Sequence, residues 1–142
     1  MLKTNFKVTG EVTIQKNGKV IREIPNTIVT AGKNNIAALI TDAGTKMTHM
    51  AVGTGTTSVA ANNTALVTES DRNALSVSGG APSANTIVHT AVWAAGDGTG
   101  ALTEAGLFSA SSGGTMMART GFSAVNKGAG DILTITWTVT IS

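Results

Sequence analysis

Two histidines, His49 and His89, are the residues of this chain most able to bind a metal or move a proton near neutral pH. Each falls inside an extended-looking run, Met47 to Val52 and Thr86 to Trp93. A metal centre on either needs two or three further ligands converging from elsewhere in the chain. Asp42, Asp97 and Glu104 are the acids to consider as further ligands, but no spacing ties them to a histidine, and the chain has no cysteine. A packed or surface histidine is the simpler reading. Nucleophilic catalysis needs a serine or threonine beside a base that a third group orients. Hydroxyls abound, yet there is no Gly-x-Ser-x-Gly elbow. Glu69 and Asp71 are the closest pair of acids, and such neighbours on a turn more often solvate a surface than flank a glycosidic bond. The glycine clusters at 53 to 55 and 96 to 100 lack the Gly-Lys-Ser/Thr continuation of a phosphate cradle and read as turns. Asn62-Asn63-Thr64 fits a glycosylation sequon, which has meaning only in a secretory pathway. No catalytic, cofactor or metal residue is assigned, and the chain reads as a non-enzyme.

Composition narrows the class further. The 142 residues are enough for one domain with a real core, so residues 1–142 are expected to form one unit, with 1–25 as an N-terminal arm and hairpin. Only 13% of residues are charged, against about a quarter in typical globular chains, and 17 are glycine. So lightly charged a surface is often covered by other subunits. Residues 1 to 46 carry seven basic and three acidic groups, net +4, and the remainder three basic and five acidic, net −2. The isoelectric point near 9.2 invites a nucleic-acid reading. The basic residues are scattered singly, however, with only Phe6 interleaved for stacking, so no direct nucleic-acid binding is expected. No apolar run reaches membrane-spanning length, and Met1 to Lys7 leads into a strand pattern rather than a secretory signal. The absence of cysteine suits folding in a reducing cytoplasm.

The elements that must hold these residues are mostly strands. From Leu133 to Ile141 every odd position is apolar and every even one is threonine, the period-two pattern of a strand with one dry face. A strand so long and regular needs neighbours on both sides. Phe6, Val8, Val12 and Ile14 alternate with polar residues and run into Asn17-Gly18, a tight-hairpin dipeptide. A plain two-residue loop sets Val12 opposite Glu23, so a bulge is expected. After Gly32, the spacing of Ile36, Leu39 and Ile40 predicts one face of a short helix. Residues 63 to 70 are read as one or two helical turns. Strands are then expected at 74–77, 86–93, 102–108, 116–122 and 132–141, with glycine-rich turns between. Trp93 and Trp137, on strand faces with aliphatic neighbours, are expected in the core. The fold class is mainly β: an antiparallel β-sandwich, jelly-roll or Ig-like, with an N-terminal β-hairpin and one short α-helix.

Several segments in order resemble a family of small virion structural proteins of tailed bacteriophages. They are Asn26 to Gly32, Met50-Ala51-Val52-Gly53-Thr54-Gly55-Thr56, Asn63-Thr64-Ala65-Leu66, Leu102-Thr103-Glu104-Ala105-Gly106-Leu107-Phe108, Gly113 to Thr120 and Asn126 to Asp131, followed by the terminal strand. The resemblance implies a non-enzymatic protein of the virion, made in the host bacterial cytoplasm. The resemblance leaves head and tail both open; the lack of repetitive shaft sequence favours a capsid decoration, or cement, protein bound as a homotrimer to the major capsid protein over a tail or fibre-attachment role. A carbohydrate-binding module is the alternative of another class, poorly supplied here with aromatic platforms. No cofactor and no membrane partner are implied. The basic N-terminal part is expected to steer docking to an acidic coat surface, with Lys3, Phe6 and Lys7 in the arm and Lys16 and Lys19 at the hairpin tip as interface residues.

Overall fold

The computed structural model describes residues 5–142. Its elements in chain order are β1 (Val8–Lys16), β2 (Lys19–Pro25), β3 (Thr27–Ile28), α1 (Thr30–Ile40), β4 (His49–Gly53), β5 (Glu69–Ala74), β6 (Ala81–Ser83), β7 (Thr86–Trp93), β8 (Gly100–Phe108), β9 (Met116–Lys127) and β10 (Leu133–Ile141). They form two antiparallel five-stranded sheets, ordered β2-β1-β10-β7-β6 and β3-β9-β8-β4-β5. The chain is therefore mainly β, a two-sheet sandwich with one short helix. Among the described residues no helix is long and apolar enough to cross a membrane.

The terminal strand is central in its sheet, paired with β1 on one side and β7 on the other. Its odd residues Leu133, Ile135, Trp137 and Val139 are buried, as the alternation requires, and Trp93 joins Trp137 with no exposed surface. The threonine face is half-buried, because cross-strand neighbours such as Thr13 and Thr90 flank Thr136. Asn17 and Gly18 both take positive φ, 53° and 79°, as the tight hairpin demands. The expected bulge lies between Ile14 and Gln15, and it sets Val12 opposite Ile24 rather than Glu23. Val12 and Ile14 reach the same core as Met50, Val52, Leu102, Leu107 and Val125 of the facing sheet.

Three segments depart from the expectation. The helix begins at Thr30, two residues before Gly32, which lies where an added Cβ would strike the Met117 carbonyl of β9. The predicted turns of helix at 63–70 are instead loop leading into β5, because the amides of Val67 and Thr68 bond to a side chain of β8. That strand ends at Ala74, so the strand expected at 74–77 lies earlier in the chain, paired with β4.

Candidate functional site

Two regions stand out once the sheets are assembled, one closed and polar, the other open and apolar. The closed one is centred on Glu104 of β8 and Arg119 of β9, which are both fully buried and joined at 2.9 Å. Each belongs to a strand whose neighbours are apolar, so its charge must be answered inside the protein. Glu104 Oε1 accepts the N–H of Gly55 at 2.9 Å and of Thr68 at 2.8 Å, and Oε2 accepts that of Val67 at 3.0 Å. Arg119 Nε and Nη2 donate to the same Oε2. The remaining guanidinium N–H groups go to Thr57 O, Ser58 O and Asn63 Oδ1, so all five donors have partners. Asn63 Oδ1 also accepts from Ala60 N at 2.8 Å. Burial alone would raise the Glu104 pKa, but the three backbone amides and Arg119 outweigh it and hold the carboxyl below its ordinary value.

The result is a knot that fixes residues 54–68, a long connection without helix or strand, onto the β8–β9 pair. Gly55 is present because an added Cβ would come within 2.5 Å of both Glu104 Oε1 and Val67 Cβ. Its φ is not positive, so close approach and not turn conformation selects glycine. The turn reading suits the second cluster instead, where Gly96, Gly98 and Gly100 all have positive φ. Other cations are occupied in the same way. Arg72 stacks 3.8 Å from the Phe108 ring centre while bonding Glu69, Ala110 O and Gly113 O. Buried Lys127 donates to Ala94 O at 2.9 Å.

The open region lies where α1 meets the end of the first sheet. Of the stripe Ile36, Leu39 and Ile40, Ile36 is half-buried and packs against the core, while Leu39 and Ile40 are exposed. Gly32 and Asn35 are buried, with Asn35 bonded through both amide atoms to Thr45. Ile40 is left 81% exposed and Phe6, across the cleft, 65% exposed. Between them runs a cleft of about 450 Å³ lined by Val8, Ile36, Met117, Val139 and Ile141, with Lys46 at the lining and His89 buried in it. Among the described residues His89 Nδ1 has no hydrogen-bond partner. Burial pushes the His89 pKa down, opposed in part by the main chain of Trp137, so the ring is held neutral.

The sequence-predicted interface residues do not form one surface. Lys3 lies outside the described residues. Phe6 and Lys7 stand beside α1, and Lys7 is tied by two backbone bonds to Ser142. Lys16 and Lys19 are at the far end of β1, roughly 30 Å away for nine residues of extended chain. That tip does not project freely. Asn17 donates to Asp131 Oδ1 and accepts from Ile132 N, and Lys16 Nζ reaches Asn126 O at 3.3 Å. His49 and His89 belong to different sheets, and Glu104 bonds to Arg119, so the acids and histidines considered for a metal are not brought together. The knot was missed by sequence reasoning. Its one local signal is an acid, Glu104, inside the otherwise apolar run Leu102 to Phe108. Comparison with known protein families, with curated proteins and with solved structures finds no match.

Proposed function

We propose that this chain is a non-enzymatic structural protein of a bacteriophage particle, a capsid decoration protein that binds the outer coat and stabilises the shell. The observation that carries the reading is spatial. Four of the segments that resemble small virion proteins, those holding Gly55, Asn63, Glu104 and Arg119, come from two stretches of the chain and meet in one hydrogen-bonded knot, which gives the resembling segments a shared structural role. The buried cations Arg119 and Lys127 bond to the chain's own carbonyls, an arrangement suited to rigidity. Repeated docking of such a rigid unit on many coat subunits makes modest single-site affinity sufficient. Both tryptophans, the platforms a carbohydrate-binding module would present, are buried.

The test is the number of copies per purified particle, measured by quantitative mass spectrometry against the major coat protein. A ratio near one per coat subunit is expected. A handful of copies would move the protein to the tail, and its absence from particles would overturn the reading.

A further inference from the structure

The cleft beside α1 continues into a second, of about 420 Å³, which shares Phe6, Val8, Ile36 and Ile40 and adds Lys7 and Lys33. The two depressions thus make one apolar groove, with Phe6 and Ile40 lining both parts. Its charged lining is of one sign: Lys7 and Lys33 in one part, Lys46 in the other, with no acid lining either. Asp42, on the turn after α1, is not part of the lining. Apolar anchors surrounded by a polar, singly charged rim are the anatomy of a protein interface. Pairing of the groove with itself across a two-fold axis would set the same lysines against each other, which works against a second copy in that arrangement.

We infer that this groove is the docking site for an aliphatic protein segment carrying a carboxylate, contributed by a coat subunit. The inference rests on the structural role proposed above and narrows it: the helix end and Phe6 make the contact, and the Lys16–Lys19 tip does not. Aliphatic side chains of the segment fill the two depressions and cover Ile40 and Phe6, while its carboxylate sits among the lysines, strengthened as water is excluded.

The experiment uses the full chain on purified particles, with the photo-crosslinking residue p-benzoylphenylalanine at position 40 or, separately, at position 19, and mass spectrometry of the adducts. Adducts from position 40 are expected on a coat peptide in which aliphatic residues flank an Asp or Glu. In parallel, Lys33→Glu combined with Lys46→Glu is expected to lower occupancy about tenfold or more with unchanged melting, whereas Lys16→Glu with Lys19→Glu leaves occupancy intact. Particles that carry the chain but give coat adducts only from position 19, or unchanged occupancy after reversal of Lys33 and Lys46, would overturn the inference and leave the structural role standing. Adducts only between copies of the chain would replace the coat segment by a second copy. Failure to find the chain on particles at all would remove the structural role and this inference with it.

Discussion

The two ends of α1 face opposite conditions. Near its first residue, Thr30 N bonds to Ala61 O in the loop that Glu104 and Arg119 hold, and the ionised groups there are fully partnered. Near its last residue, Ile40 stands in solvent beside Phe6, and His89 below has a nitrogen without a hydrogen-bond partner among the described residues. A chain that satisfies one set of groups this completely has not left the other uncovered for want of folding. The knot is where the protein holds itself together, and the groove is where it has surface left to give.

The comparison is broken most severely at Arg119. Arg119→Met leaves the Glu104 carboxylate buried without its counter-charge, and we expect a loss of about 3–5 kcal/mol in urea unfolding; a loss under about 1 kcal/mol would mean that the knot holds nothing. Gly55→Ala forces a methyl group against Glu104 and Val67 and should cost about 1–3 kcal/mol in the same measurement. Asn63→Ala removes an acceptor shared by Arg119 and Ala60 N, with an expected cost of about 1–2 kcal/mol.

Acid sharpens the contrast, because the two regions respond in separate windows. Glu104 has a folded pKa below its unfolded one, so its stabilisation is present above the ordinary carboxylate range near about 4.3 and is lost as pH falls through the folded value. His89 also has a lowered folded pKa, so the unfolded chain takes up the proton first. Stability then declines as pH drops below about 6.5 until the folded value is reached. Thermal melts of His89→Gln from about pH 7 to about pH 3 are expected to lack that upper decline and to keep the lower one. The smallest effect belongs to the open groove: Ile40→Glu, at an exposed position, should change unfolding free energy by no more than about 0.5 kcal/mol. A larger loss would show that Ile40 belongs to the core after all.

What the sequence made readable was periodic and local. The threonine alternation of β10, the Asn17–Gly18 turn and the burial of Trp93 and Trp137 each depend on residues within a few positions of one another, and each is found as expected. The helix was legible as an element but not in its orientation. Only Ile36 of the aliphatic stripe packs against the core, and β9 approaches through Gly32, where the absence of a side chain permits close backbone contact. Hydrophobic spacing reports which face is apolar, and only the assembled neighbours decide whether that face is covered. The knot was illegible because its partners lie up to 62 residues apart, and because the amides it binds, at 55, 67 and 68, carry no side-chain signature. The same amides explain the misreading of 63–70, since a backbone N–H bonded to Glu104 cannot close a helical turn. Lys7 and Lys16, both in the positive N-terminal part of the sequence, stand at opposite ends of β1 and are separated by its length.

The most direct measurement is amide hydrogen exchange on the protein free and bound to purified particles. The bonded amides of Thr54, Gly55, Val67 and Thr68 should be protected in both states, since the knot already holds them, while residues 6–8 and 36–40 should gain protection only on the particle. New protection confined to the 16–19 turn, or fast exchange throughout 54–68 in the free protein, would contradict the division of the molecule into a closed scaffold and an open docking face.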